Sequence, residues 1–490
     1  MRPVVTVAEM RAADAASPVP EAMLVRRAGT AVAVSALRML GGAYARRVVV
    51  VAGKGNNGAD GRVAAGVLRR RGARVSVVGP DSRLGGCDLV IDAALGTGLR
   101  GPYDAPEPPP GALVLAVDIP SGVDGDTGRA PGRPMAAART VTFAALKPGL
   151  LQGDGPRFAG EVEVADIGLG DLPAEISLVE DADVARLVPR RPADTHKWAT
   201  AICVVAGSPG MEGAAVLSAN GAARSGAGMV RLGVPGIGEA PGCAWPTEAV
   251  RLPLGPRGWA GDVLSVLGRC RALVVGPGLG RTADTVEGVR AVIAGAKVPV
   301  VVDADALFAL GDAGSARAVV AGRRPVVVTP HDGEYERLLG EKPGPDRVAA
   351  ARRLAAALGV VALVKGSLTA VASGSGEVLL SASGSERLAT AGTGDVLSGV
   401  IGAFLARGMA PLDAAALAAH VHGRAASDGP AEGLVAGDLP RLVSARLSRW
   451  LGSVPEPDRH RDGQRDRHRD GQRDRHRDGQ RDRHRDGSGG

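Results

Sequence analysis

A chain of 490 residues is too long for one ordinary core, so two domains are expected. The hydrophobic fraction of 45% suits a globular protein, and with aromatics at only 2% its cores must be built from Val, Leu, Ile and Ala. The formal net charge of +7 takes +3 from residues 458–490, with 11 Arg and 8 Asp, and nowhere do aromatics interleave with basic residues, which argues against a nucleic-acid partner.

The four cysteines, Cys87, Cys203, Cys243 and Cys270, lie far apart without a CxxC pair. Neither a zinc site nor a disulfide framework is expected, and the thiols fit a reducing compartment. No apolar run approaches the roughly 18 residues of a membrane span, and the opening MRPVVTVAEMRAAD lacks the apolar core of a signal peptide. A soluble, cytoplasmic protein with no membrane partner is expected.

In chain order, Met10 to Leu40 reads as helix broken at Ser17-Pro18-Val19-Pro20. Arg47 to Ala52 is a continuous apolar run of buried-strand type, ending in the glycine loop GKGNNGADG, with a helix from Arg62 to Arg71 after it. Further strands are expected over Arg74–Val78, Leu89–Asp92, Leu113–Asp118 and Thr140–Phe143. Strand, glycine loop, helix and strand again is the order of a parallel, doubly wound sheet, whose ligands sit at the carboxyl ends of its strands. The polar punctuation falls there: Asn57 after the first strand, Asp92 ending another, Asp118 ending a third with Ser121 close behind. Singly, each is explained as a turn former or a cap; three such loops together point to a site.

The segments NNGADG, DAALGTGLRG, VDIPSGVDGDTG and TVTFAALKPGLLQGDG, in this order, resemble the epimerase half of the bifunctional NAD(P)H-hydrate repair enzymes. The resemblance implies that Asn56, Asn57, Gly58, Ala59 and Asp60 hold the hydrated nicotinamide nucleotide, together with Gly96, Thr97, Gly98, Leu99, Arg100, Gly101 and Pro102. It also implies that Asn57, Asp92 and Ser121 supply oxygen ligands to a potassium ion. Asp118 is then a substrate contact and the acid–base residue, with Lys147 near the site. The family loop more often reads NNGGDG; where that position demands φ > 0, Ala59 is strained and shifts the loop.

Residues 171–195, with prolines at 173, 189 and 192, read as a junction, and the domain boundary is expected near residue 190. Beyond it, strands are expected over Ala201–Ala206, Ala272–Gly276, Val298–Asp303, Pro325–Thr329 and Val360–Lys365. Helices are expected between them over Ala214–Ser225, Thr282–Ala296 and Arg347–Leu358. This is again a three-layer α/β pattern with a mostly parallel sheet.

The chemistry concentrates in AGTGDVLSGVIG, from Ala391 to Gly402. A glycine turn opens a helix there, so free N–H groups and the positive dipole end meet an anion. Asp395 beside that anion makes sense as a base for a hydroxyl attacking a phosphoryl group. The plain alternative is a helix capped by Thr393 with Asp395 in its first turn. There is no GxxxxGK[ST], so a P-loop is excluded. His331, in the polar run Thr-Pro-His-Asp-Gly-Glu, reads as a substrate contact, and His420 and His422 read as structural.

The motifs GSPGMEGAAVLSANGAARSGAGMV, GPGLG, VVDADAL, TPHDGEYERL, LVKG and GTGDVLSGV are similar to the ADP-dependent NAD(P)H-hydrate dehydratase domain of the ribokinase-like superfamily. By that resemblance Lys365, Gly366, Ser367, Leu368, Thr369 and Gly394 contact the adenine nucleotide, while Ala214, Gly278, His331 and Asp395 contact the hydrate. It implies ADP as co-substrate with Mg²⁺, small-molecule partners and a homo-oligomer as an open state. The family's HKGxxG opening stands here as His196-Lys197-Trp198-Ala199-Thr200-Ala201, without either glycine. A small-alcohol kinase fused to a non-catalytic nucleotide-binding module is the competing reading.

From Asp458 the chain repeats DRHRDGQR with period eight and has no apolar residue, so a disordered tail is expected. The fold class expected is thus α/β: two three-layer doubly wound domains, Rossmann-like over residues 1–190 and ribokinase-like over 195–452, with a disordered tail over 453–490.

Overall fold

The computed structural model describes residues 1–98, 101–237, 245–322 and 325–452; Leu99, Arg100 and the expected disordered tail lie outside the described residues. The protein is α/β with largely parallel sheets. Among the described residues, six parallel strands form the first sheet in the order Arg74–Val78, Arg47–Ala52, Leu89–Ala93, Leu113–Val117, Arg139–Phe143 and Glu161–Ala165. Side chains alternate between two cores. Val48, Val50, Leu89, Ile91, Leu115 and Val117 face one side, and Val51, Val90, Val114 and Ala116 face the other. Burial on both faces is why these strands read as unbroken apolar runs.

The helix after the first strand spans Asn56–Arg70, six residues earlier than the expected start at Arg62. Asn56 to Asp60 are therefore its first turns rather than a loop. Close packing allows this. A Cβ on Gly58 would lie 2.0 Å from the carbonyl oxygen of Gly53. Ala59 is not among the non-glycine residues with positive φ, which are Ala45, Asp118, Ala144 and Ala304 in the described chain. It sits in a helix, where alanine is the most favourable residue, so no backbone strain arises there.

Among the described residues the second sheet has eleven strands, ordered Arg2–Val4, Ile176–Leu178, Val378–Ser381, Thr369–Ala372, Val361–Val364, Val326–Val328, Val300–Val302, Ala272–Val275, Ala201–Val205, Met229–Gly233 and Ala249–Leu252. From Val361–Val364 to Ala249–Leu252 it is parallel, while the Thr369–Ala372 strand pairs antiparallel with both neighbours. Cys203 and Val205 face one core with Leu273 and Val275, and Ile202 and Val204 face the other with the helix Thr393–Ala406.

Two of these strands precede residue 190. Ile176–Leu178 pairs with Val378–Ser381, and Arg2–Val4 closes the edge beyond it. The helix Asp181–Leu187 goes with them, since Asp181 lies 2.8 Å from His420 Nε2 and accepts from Arg424. The division by sheet thus departs from a linear cut near 190, because an open edge with unpaired N–H and C=O groups recruits any strand in reach. Among the described residues, no helix is long and apolar enough to cross a membrane.

Candidate active site

Two polar constellations lie at the carboxyl ends of strands, one on each sheet. On the first, Asp118 follows the strand Leu113–Val117 with φ of +64°. Its N–H donates to Val141 O (2.7 Å), which fixes the turn. Its Oδ1 accepts from Lys147 Nζ at 2.7 Å and from Thr142 Oγ1 at 3.0 Å. Lys147 is 1% exposed and also donates to Thr142 Oγ1 and Phe143 O. A left-handed backbone at a non-glycine residue is held only where its surroundings over-determine it.

Beside it, burial, then Asp118 and Asp14, push the Asp60 carboxyl up to about 8. Asp60 Oδ1 is buried without a hydrogen-bond partner. Asp14, on the helix Val7–Ala16, is itself raised by burial and by Asp118, against the pull of Lys147. No sequence motif marks Asp14; a charge on an N-terminal helix carries no signal of what it will face.

The structure brings Asn57, Asp92, Ser121 and Gly96 together. Ser121 Oγ donates to Asp92 Oδ1 at 2.6 Å, and Ser121 N donates to Asp92 Oδ2 at 2.9 Å. Asn57 Nδ2 donates to Leu95 O and Val117 O, and a Cβ on Gly96 would sit 3.2 Å from Asn57 Oδ1. Asp92 is wholly buried, and its carboxyl is raised by that burial against the Ser121 and Ala94 hydrogen bonds. Asn56 points outward to Glu21 (2.9 Å). Thr97 packs near Gly125, Gly98 is open, and Gly101 turns with φ of +85° before Pro102.

On the second sheet, the helix Thr393–Ala406 starts at Gly392, whose φ is +91°. Thr393 is not its cap: its hydroxyl donates back to Leu388 O and Thr390 O. Burial, then Asp303, push Asp395 up to about 7, with Lys365 opposing. Lys365 Nζ donates to Asp303 Oδ1 at 2.6 Å. Asp303 is 1% exposed and also accepts from Thr329 Oγ1 (2.7 Å) and Ser398 Oγ (2.6 Å). Burial alone would lower Lys365, but Asp303, Glu334 and Asp395 raise it. Gly394 lies against this pair, its missing Cβ 3.4 Å from Lys365 Nζ.

Ala214 and Gly278 are in contact, since a Cβ on Gly278 would lie 2.7 Å from that of Ala214. His331 caps the helix Asp332–Leu339, accepting from Gly333 N, and its own N–H donates to Glu334 Oε2 at 2.9 Å. Gly366 and Ser367 form the exposed turn between strands Val361–Val364 and Thr369–Ala372, whose Thr369 hydroxyl donates to Gly366 O. Leu368 buries its side chain in the core, which leaves only its backbone toward a ligand.

Known proteins resemble this chain over both halves. The family profile described as NAD(P)H-hydrate dehydratase matches residues 202–449, and that of the YjeF-related protein N-terminus matches 21–86 and 79–149. The bifunctional NAD(P)H-hydrate repair enzyme Nnr of Moorella thermoacetica is 36% identical over 89% of this chain and 94% of its own length. That of Mycobacterium leprae is 38% identical over 91% and 98%. The chain belongs to the bifunctional NAD(P)H-hydrate repair enzymes.

It is an enzyme, with an epimerase half and a dehydratase half. Among solved structures, an ADP/ATP-dependent NAD(P)H-hydrate dehydratase from Bacillus subtilis, co-crystallised with ATP/Mg²⁺, is 28% identical with a TM-score of 0.45, covering 55% of this chain and 97% of that one. Asp303 and Glu334 stood inside motifs the sequence displayed, yet their roles emerge only from what they touch. Thr142 and Ser398 also stood inside quoted motifs, but nothing in those motifs marked their hydroxyls as partners of Asp118 and Asp303.

Proposed function

We propose that this chain repairs hydrated NADH and NADPH in two steps. The first half interconverts the R and S forms of the hydrate. The second uses ADP to dehydrate the S form, releasing NAD(P)H, AMP and phosphate. The observation that carries the reading is Asp395, a carboxyl raised to about 7 at a glycine-opened helix N-terminus beside Lys365. A base titrating near neutrality is matched to its task. It takes the proton from the added hydroxyl as the oxygen attacks the β-phosphoryl group, and AMP leaves. Phosphate is a far better leaving group than hydroxide, so the ester then eliminates and the dihydronicotinamide ring is restored. The N–H groups of the turn at Gly392–Gly394 and the Lys365 ammonium stabilise the charge on the moving phosphoryl group.

In the dehydratase half, we assign the nucleotide to Lys365–Thr369 and Gly394, and the hydrate to Ala214, Gly278, His331 and Asp395. Among the described residues no cluster of three or more His, Cys, Asp or Glu is arranged to hold a metal alone. Mg²⁺ would arrive on the nucleotide phosphates and neutralise their charge, with the carboxylate of Glu334 near Lys365 and Asp303 to meet it.

In the epimerase half, Asp118 is the acid–base residue, oriented by Lys147 and Thr142. We assign the hydrate to Asn56–Asp60 and to Gly96–Pro102. The donor set of Asn57, Asp92 and Ser121, with the Leu95 and Val117 carbonyls beside Asn57, suits potassium. Asp92 is a fully buried carboxyl whose shift has no cationic side chain among its causes, and a bound cation would supply that charge. The reducing cytoplasm and small-molecule partners remain part of this reading.

The test is absorbance at 340 nm with both NADPH-hydrate epimers, ADP, Mg²⁺ and K⁺ present. Full recovery at enzymatic rate is expected. Recovery that stops at the S fraction would remove the epimerase, and none with ADP or ATP would remove the whole reading.

A further inference from the structure

The turn after Pro148–Leu150 belongs to the half built on the first sheet, yet it meets the start of the helix Arg347–Leu358 and faces the proposed nucleotide segment of the other half across a cavity. Gln152, 3% exposed, joins the two. Its Nε2 donates to Asp126 O at 2.7 Å in its own half and to Asp346 Oδ1 at 3.3 Å across the boundary. Its Oε1 accepts from Arg347 N at 2.9 Å. One orientation of the amide satisfies all three partners, which a carboxylate at this position would not, facing Asp346 and a carbonyl.

Asp346 caps the helix Arg347–Leu358, accepting from Ala349 N at 3.0 Å, so Gln152 grips that helix at its first residues. Arg347 carries the contact onward. Its side chain is 12% exposed; Nη1 donates to Asp332 Oδ1 at 2.7 Å, and Nη2 donates to the carbonyl of Lys365. That carbonyl begins the exposed turn at Gly366 and Ser367. Between the halves lies a cavity of about 630 Å³, walled by Leu151, Gln152, Gly153 and Pro156 on one side and by Arg347 and Lys365–Leu368 on the other. This is the size range of small-molecule sites.

We propose that the Leu151–Gly153 turn of the epimerase half is the outer wall of the dehydratase's nucleotide site, and that Gln152 is a positioning residue for the nucleoside diphosphate bound there. It acts through Arg347, which holds the Lys365 carbonyl and the turn after it. The proposal rests on the assignment of Lys365–Thr369 to the nucleotide. It makes nucleotide affinity in one half depend on docking of the other.

The test uses the full chain with Gln152→Met, which keeps the volume and removes the three hydrogen bonds, and Ser367→Trp, which fills the exposed turn. Initial rates are measured against ADP at saturating S-hydrate, and ADP binding is measured by calorimetry. Gln152→Met is expected to raise KM and Kd for ADP roughly five-fold with kcat within about two-fold, the loss of about one buried hydrogen bond's contribution. Ser367→Trp is expected to weaken ADP further. Weakening by Ser367→Trp alone overturns the proposal and leaves the nucleotide assignment standing. Unchanged ADP binding in Ser367→Trp overturns that assignment itself. A lower Tm or kcat in Gln152→Met without the KM change means a merely structural residue and also overturns the proposal. Should Gln152→Met fail to fold, Arg347→Lys reads the same chain from its other end: it keeps a charge facing Asp332, loses the contact to Lys365 O, and is expected to show the same split between KM and kcat.

Discussion

The Lys147 ammonium and the Asp118 carboxylate lie 2.7 Å apart, on a backbone that turns left-handed at Asp118. Lys147→Met leaves that carboxylate without its cation. A loss of about 2–3 kcal/mol in urea denaturation is expected, the scale of a hydrogen bond to a charged group. Asp118→Asn keeps the shape and removes the acid–base function. Epimerisation is expected to fall roughly 10²–10⁴-fold, followed by exchange between resolved R and S hydrates. Dehydration of pure S hydrate in the same sample serves as the internal control.

Asp395 must be ionised to accept a proton, and its carboxyl is raised to about 7. The dehydratase kcat/KM should therefore rise with pH and level off above about 7, with the midpoint falling if Asp303→Asn removes the neighbouring negative charge. Asp395→Asn should lose about 10²-fold or more in kcat while still binding ADP by calorimetry. A flat profile between pH 6 and 8 would remove Asp395 as the base.

Asp60 is protonated at neutral pH in the folded protein, since its carboxyl is raised to about 8. The folded state holds a proton that the unfolded chain releases near the ordinary carboxylate range, about 4. Its contribution to stability is thus complete below about pH 4, declines as pH rises, and is gone above about 8. Asp60→Asn, a permanent mimic of the neutral form, should flatten this decline. Its Tm advantage over the unmodified chain should grow from pH 5 to pH 8 in differential scanning calorimetry.

Ala59 lies in the helix Asn56–Arg70 with no positive φ. Restoring the commoner glycine should cost about 0.5–1 kcal/mol and bring no gain in epimerase rate. An Ala59→Gly variant that is more stable or faster would show that the position needs a left-handed backbone when substrate is bound.

Much of the fold was legible from Val-rich runs and glycine turns. Strand runs such as Arg47–Ala52 and Ala201–Ala206, and the helix Arg347–Leu358, follow local apolar pattern, and local pattern survives in any context. The start of the helix at Asn56 was not legible. Two asparagines and two glycines in six residues argue for a turn, and only the close fit of Gly58 against Gly53 makes the helix favourable. The strands Arg2–Val4 and Ile176–Leu178 escaped for a different reason. They are three residues each, and their partners lie in the edge of a sheet formed largely by later sequence.

The chain by itself determined the chemistry on offer: carboxylates at strand ends, glycine-opened helix starts, and two families of motif in one order. Tertiary structure alone decided which of these groups face one another. Asp395 owes its raised carboxyl to burial and to Asp303, 92 positions earlier in the chain. Asp60 owes its own to burial, Asp118 and Asp14. Gln152 meets Arg347 across the boundary between halves. Desolvation and through-space charge depend on what surrounds a group in three dimensions, and no local sequence pattern carries that.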